Sequence, residues 1–414
     1  MEEHEARLAG AWARTADGRD RFTQEGERFR VLFPGRKNGG PGPDFRGALL
    51  QVEGRRVRGD VEAHLVASGW HGHGHDSDPH FNQVVLHVVG RDDMGTPTRL
   101  ANGARVPVLV LHGWHEEGHV RGPGSGASGL GPTVRPGGGD RAGGCLVRAG
   151  RDVAALLLKQ GLIRFHARVA RWRRARETDG ALYRELLQGL GYGREGAPYL
   201  RLARALPWAA LAGAQGLRKV QSRLLGTAGL MAAAPKDVGA ELRAHWEGTP
   251  SLQTSSWRGP PCRPASNPAR RLLGVGALFV RCSSLGLARS LFASLNPLPA
   301  PERAQAGLRR WLAVSADDAG LPPGPAPLGG AVADILAVNI LLPFLASRPE
   351  MRTWAGAAYR DYPRLEPDSV LRSMVERLGL AGLRLGACGQ QGLHRVFRSY
   401  CSQGRQPWCP LCQV

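Results

Sequence analysis

The feature that most constrains the fold is a change of hydrophobic period along the chain. Between residues 28 and 111 apolar positions alternate or form short continuous runs, as in "RFRVLF" (28–33), "FRGALLQV" (45–52), "RRVRGDVEAHLV" (55–66) and "NQVVLHVVG" (82–90). Alternation by two puts neighbouring side chains on opposite faces of a strand. From residue 152 the period lengthens. Leu158, Leu162, Phe165, Val169 and Trp172 are spaced four, three, four and three apart, which is one face of a helix. The Gly-rich run "GWHEEGHVRGPGSGASGLGPTVRPGGGDRAGGC" (113–145) separates the two regimes and reads as a flexible linker.

The expected fold class is therefore α+β. Residues 1–112 form a mixed sheet with flanking helices, 113–145 a linker, 146–387 a mostly helical domain, and 388–414 a Cys-rich tail. "EARLAGAWAR" (5–14) suits a short helix, and further helices are expected near 181–190, 199–213, 215–232, 237–246, 301–314, 331–347 and 367–379. Glu53-Gly54 is a hairpin-like junction between two strands, and Asn102-Gly103 is a strong hairpin signal within "TRLANGARVPVLVL" (98–111). "NQVVLHVVG" is the most apolar strand and is expected at the centre of the sheet.

Net charge is +20, which favours acidic partners such as DNA or RNA. Only 4 of the 55 basic residues are lysine, so part of this charge reflects codon bias on a solvated surface. No run reaches the roughly 18 apolar residues of a membrane span, and "MEEHEARLAG" is too acidic for a signal peptide. Seven cysteines, four of them in the last 27 residues, do not make a secreted disulfide framework. A reducing, bacterial-type cytoplasm is the expected compartment.

The segment 42–89 concentrates the chemistry. Asp60, Glu62 and His64 alternate by two and share one face of a strand, and a hairpin would bring Asp44 toward that face. Clustered carboxylates repel unless a cation neutralises them, and hard oxygen ligands select Mg2+ or Mn2+. Asp44, Asp60 and Glu62 are the expected metal-holding acids, with His64 as base. His73, His75 and Asp78 lie in the polar turn "HGHGHDSDP", and His87 sits inside "VVLHVV"; these four are further metal-ligand candidates. A histidine inside an apolar strand is otherwise a satisfied core residue, and His71 and His80 read as bystanders.

Two features lie farther along. Cys409-x-x-Cys412, with Cys401 eight residues earlier, has the spacing of a structural zinc site, His394 or Cys388 being the fourth ligand. An iron–sulfur cluster on Cys388, Cys401, Cys409 and Cys412 is the alternative. Arg164, Arg168 and Arg171 follow one helical rhythm. Arg270 and Arg271 fall in the first turn after Asn267-Pro268, where positive charge opposes the helix dipole. All five are nucleic-acid-binding candidates, with a neighbouring Asp or Glu as the commoner partner for the last two.

Pro43-Asp44 followed by Glu62-Ala63-His64 resembles the PD-(D/E)xK nuclease superfamily, in which Pro-Asp on one strand precedes Asp/Glu-x-Lys on the next, then a helix and another strand. The histidine in place of lysine is a departure. The chain also resembles a bacterial family, Domain of Unknown Function 2851. That resemblance is carried by "GPDF" (42–45), "GDVEAH" (59–64), Trp70, "HGH" (73–75), "DPHFNQVVLHVV" (78–89), "LLGTAGLM" (224–231), "RPASNPARRL" (263–272), "QQGLHRVFRSYC" (390–401) and "CPLC" (409–412). It implies an architecture and no activity. The superfamily resemblance implies a restriction-endonuclease-like sheet and a Mg2+- or Mn2+-dependent phosphodiester hydrolase. The alternatives are a nucleic-acid-binding protein that does not cut and a metal-dependent enzyme acting on a small molecule.

Overall fold

The computed structural model describes residues 2–16, 19–112, 114, 146–147, 152–175, 178–191, 196–213, 216–257, 267–403, 405 and 409–413. It is a mixed α/β protein with an N-terminal sheet and a mostly helical C-terminal region. The expected linker lies outside the described residues apart from Trp114. The chain divides into two compact units, one of residues 1–156, 367–383 and 393–414, the other of 157–366 and 384–392. The Cys-rich tail is thus not a unit of its own.

The first unit opens with α1 (Glu2–Ala13), followed by β1 (Asp20–Phe22), β2 (Arg28–Phe33), β3 (Arg36–Lys37), β4 (Phe45–Val52), β5 (Arg55–Val66), the short α2 (Gly69–Gly72) and a 3-10 turn at Pro79–Phe81. Then come β6 (Val84–Arg91), β7 (Thr98–Arg99), β8 (Arg105–Val106), β9 (Val108–Val110) and β10 (Leu146–Val147). The main sheet runs β1-β2-β4-β5-β6-β9, with β3 also on β4. Its first four strands are antiparallel, whereas β5, β6 and β9 are parallel. β6 lies between β5 and β9, as its apolar sequence leads one to expect.

The β4–β5 turn confirms the Glu53-Gly54 junction. Both residues have positive φ (45° and 82°), the backbone that tight hairpins with right-handed twist require. Asn102-Gly103 also turns a hairpin, but β7 and β8 form a separate two-stranded ribbon and only β9 joins the main sheet.

The odd residues of β5 face the core. Val61 and Ala63 pack with Leu86, Val88, Phe45 and Leu50, and α1 closes this face with Leu8 and Trp12, whose indole N–H donates to the Pro34 carbonyl at 2.9 Å. The even residues Asp60, Glu62 and His64 are thereby set on the opposite face, still buried.

The second unit comprises α3 (Val153–Arg173), α4 (Thr178–Leu190), α5 (Gly196–Ala205), α6 (Trp208–Ala212), α7 (Leu217–Thr227), α8 (Lys236–Ala244), α9 (Pro268–Cys282), α10 (Leu287–Ser294), α11 (Ala304–Leu312), α12 (Gly330–Leu336), α13 (Leu342–Ala346) and α14 (Arg352–Asp361). They enclose one apolar core. A π-helical turn, Ala337–Leu341, joins α12 to α13. Pro343 has no N–H to donate to the Asn339 carbonyl, and its ring crowds that carbonyl, so the helix widens there. Among the described residues no single helix is long and apolar enough to cross a membrane. The chain ends with α15 (Ser369–Arg377), α16 (Ala387–Ser399) and β11 (Cys412–Gln413), which pairs with β10.

Candidate metal centre

The hairpin brings the acids together. Asp44 begins at the mouth of β4, and its backbone N–H donates to Glu62 Oε2 at 2.8 Å. The Ala63 N–H donates in return to Asp44 Oδ2 at 3.3 Å. Asp60 is drawn elsewhere. Phe45 faces Val61 and Ala48 faces Gly59, so two β4 residues stand opposite Asp60 alone. This bulge is possible because Gly47 has φ of 67°. Its N–H, released from the ladder, donates to Asp60 Oδ1 at 2.8 Å. Asp60 therefore pins the bulge, where the sequence reading counts it as a metal ligand.

The histidines complete the constellation. His64, His73 and His75 each offer a ring nitrogen, and the three atoms all lie within 4.8 Å of one another. Among the described residues this is the group whose donors suit a metal ion. His64 Nε2 is 3.1 Å from His73 Nδ1. Glu62 Oε1 stands 3.5 Å from His75 Nε2 and 3.8 Å from His64 Nε2. Tetrahedral zinc with bonds of about 2.0–2.1 Å places adjacent donors about 3.3 Å apart, and these separations bracket that value. Burial is graded, from His64 in the interior through His75 to the exposed His73, so the centre opens to solvent on one side.

Its surroundings hold the rings in place. His75 stacks on Phe81 with ring centres 3.7 Å apart, and Trp70 stands edge-on to His75 at 5.4 Å and tilted over His87 at 5.2 Å. Trp70 is fixed by an N–H bond to the Arg99 carbonyl at 3.0 Å. The turn carrying His73 and His75 is tied by backbone bonds from His73 N to Gly69 O and from His75 N to Trp70 O, both 3.0 Å.

The structure redistributes the other candidates. His87 is not in the donor group. Its Nε2 lies 2.9 Å from His64 Nδ1 and its Nδ1 lies 2.7 Å from Thr98 Oγ1. Both nitrogens are engaged behind His64. Asp78, expected as a ligand, is the N-cap of the 3-10 turn. Its carboxylate accepts the His80 N–H at 2.9 Å and meets His80 Nδ1 at 2.7 Å. His71 pairs with Asp76 at 3.1 Å.

In the tail, His394 Nε2 is 3.4 Å from Asp368 Oδ2, the carboxylate that caps α15. Cys401 Sγ lies 3.9 Å from Met374 Sδ. Cys388 packs in the helical core beside the Leu158 carbonyl at 3.7 Å, where burial pushes its thiol up to about 11. The tail cysteines are all buried but enter no group of three close donors among the described residues. Cys412 lies on β11, where it stands opposite Val147 of β10.

The arginines serve the fold. Arg164 Nε donates to Gln391 Oε1 at 2.8 Å, Arg168 to Asn339 Oδ1 at 2.5 Å, and Arg171 pairs with Glu185 at 2.5 Å. Arg270 donates to the Pro325 carbonyl and the buried Arg271 to the Leu190 carbonyl at 2.6 Å. Leu190 ends α4, so Arg271 meets the negative end of that helix. Backbone carbonyls thus satisfy the first-turn charges for which the sequence reading named a phosphate or carboxylate.

Electrostatics marks the centre as well. Burial, reinforced by His87, His75 and His73, depresses His64 to about 2, and burial with His75 depresses His87 to about 3. Both imidazoles are neutral, the form that ligates metal. Burial, then the neighbouring Glu62, raises Asp44 to about 7.

These shifts predict a pH profile for the metal-free protein. A depressed imidazole loses stability as pH falls below 6.5, because the unfolded chain takes up the proton first. A raised carboxyl loses stability as pH climbs from 3.8 toward 7. Two imidazoles oppose one carboxyl, so these three groups together should make stability rise from near pH 4 to 6.5. Urea unfolding in EDTA at pH 4.5, 5.5 and 6.5 checks this, and a flat or falling profile contradicts it.

Residues 5–121 match the family model described as Protein of unknown function (DUF2851). No curated protein and no solved structure matches the chain. The DUF2851 span contains every residue of the centre, together with His87, Thr98 and Trp70. The helical and tail motifs that carried the sequence resemblance, 224–231, 263–272, 390–401 and 409–412, lie outside it.

Sequence reasoning missed Thr98, Trp70 and Phe81 as supports of the centre. Asp78 as a cap was legible, since Asp followed by Pro is an N-cap signal.

Proposed function

We propose that the sheet unit is a metal-dependent phosphodiester hydrolase of the PD-(D/E)xK nuclease type, with its cation held by Glu62, His64, His73 and His75. The observation that carries this reading is the convergence of three imidazoles and Glu62 at β5, the second strand after Pro43-Asp44 and the one whose Glu62 accepts the Asp44 N–H. The order of parts supports it: antiparallel β4 and β5, a connection, then parallel β6. The connection holds only α2 and a 3-10 turn instead of a longer helix.

Three imidazoles with one carboxylate favour zinc over the Mg2+ that an all-oxygen set would select. A divalent ion there supplies Lewis-acid activation of water and of a phosphoryl oxygen. In this reading His64 is a ligand, so the proton-accepting role passes to Asp44. Its carboxyl lies beside Glu62 and is raised to about 7, near the working pH that suits a general base. The +20 charge suits a polyanionic substrate.

The test is an assay of full-length protein, purified without chelator, on single- and double-stranded DNA, RNA and bis(p-nitrophenyl) phosphate with Zn2+, Mn2+ or Mg2+. Hydrolysis that EDTA stops and Glu62→Gln loses is the expected result. Nucleic-acid binding without cleavage under every metal would replace this reading with the non-cutting one.

A further inference from the structure

The metal centre leaves a buried pair of side chains unexplained. His87 is fully buried at the middle of β6, and Thr98 is buried on β7. A core histidine needs partners for both nitrogens, yet this one finds them in a line: Thr98 Oγ1, His87 Nδ1, His87 Nε2, His64 Nδ1. The line ends at His64 Nε2, the nitrogen facing His73 and Glu62.

Neutral imidazole carries one N–H, so the line can be occupied in two ways. In one, His64 Nδ1–H donates to His87 Nε2, and His87 Nδ1–H donates to Thr98 Oγ1. His64 Nε2 is then a bare lone pair aimed into the centre. In the other, every bond reverses. Thr98 O–H donates to His87 Nδ1, His87 Nε2–H donates to His64 Nδ1, and a proton sits on His64 Nε2, blocking it. Threonine hydroxyl can end either line, because it both donates and accepts.

Resting on the metal-centre reading above, we propose that His87 and Thr98 are positioning residues that hold His64 in the tautomer offering Nε2 to a zinc-class cation. Ligating histidines generally donate their second nitrogen to an outer partner, and that partner fixes ring orientation and tautomer. Here the outer partner is itself a histidine, so the assignment passes one residue farther, to Thr98. A valine at 98 keeps the branched shape and removes the acceptor. A buried N–H without an acceptor is disfavoured more than a buried lone pair without a donor. Thr98→Val therefore tips His87 toward the Nε2–H form and His64 toward the blocked one.

The experiment measures zinc affinity of full-length protein by competition with a chromophoric chelator, for wild type, Thr98→Val and Thr98→Ser. Thr98→Val should bind roughly 10- to 100-fold more weakly, and Thr98→Ser, which retains the hydroxyl, should bind within a few-fold of wild type. Long-range 15N NMR of histidine-labelled wild type reads the tautomers without a mutation. With zinc bound, His64 and His87 should both carry their proton on Nδ1. Equal affinity in wild type and Thr98→Val, or a proton on His64 Nε2 in the zinc-loaded protein, overturns the proposal while leaving the metal centre standing. Wild type that binds no zinc overturns both.

Discussion

Replacing His75 with alanine is expected to weaken zinc binding by more than the roughly 100-fold of an outer-sphere change, with little change in fold. His75 Nε2 stands 3.5 Å from Glu62 Oε1, so its loss removes a donor from the wall of the centre. Only two imidazoles and one carboxylate would remain. The turn should survive, because His75 holds its place through its backbone N–H to the Trp70 carbonyl, a bond alanine retains. The stacking on Phe81 is lost, at an expected stability decrease of about 1 kcal/mol. Chelator competition for affinity and thermal melting for the fold separate the two effects. Undiminished zinc binding in a folded His75→Ala protein would remove His75 from the centre.

Asp44→Asn should have the opposite profile: nearly unchanged zinc binding, lost catalysis and higher stability without metal. Asparagine keeps an oxygen to accept the Ala63 N–H and leaves the Asp44 N–H on Glu62 intact. What disappears is a carboxylate that burial and Glu62 disfavour in its charged form. At pH 8, where the unfolded chain's Asp44 is ionised and burial disfavours that charge in the fold, the metal-free variant should be the more stable protein. Phosphodiester hydrolysis should fall by about 10²- to 10⁴-fold, the usual contribution of a positioned proton acceptor. Full activity in Asp44→Asn would mean that another group takes the proton.

The sequence was most informative where chemistry and geometry coincide. Glu53-Gly54 specified a hairpin because few residues other than Gly adopt positive φ, and that hairpin put Asp44 beside Glu62. The period of two in "DVEAH" correctly placed Glu62 and His64 on one face, opposite the apolar Val61 and Ala63. The same period put Asp60 on that face too, but not its partner, because a bulge is a property of the strand pair. Gly47, on the partner strand, diverted Asp60. Thr98 was illegible for a similar reason. It meets His87 through the side-by-side placement of β6 and the β7–β8 ribbon, and no local spacing encodes that.

The arginines show a further limit. Backbone carbonyls satisfy Arg270 and Arg271, and carbonyls leave no mark in a sequence. His394 was assigned by its distance from Cys401 along a helix, whereas its partner Asp368 is brought up from another element. The metal centre was more legible, because two of its imidazoles lie close in sequence at 73 and 75 and the third, His64, stands on the acidic face of β5.

Zinc K-edge X-ray absorption on the full chain, loaded with one equivalent of zinc, tests the central claim most directly. The account predicts a first shell of nitrogen and oxygen alone at about 2.0–2.1 Å, with the multiple-scattering pattern of about three imidazoles. A first shell containing sulfur near 2.3 Å would place the zinc on cysteines and contradict the assignment of Glu62, His64, His73 and His75 as its ligands.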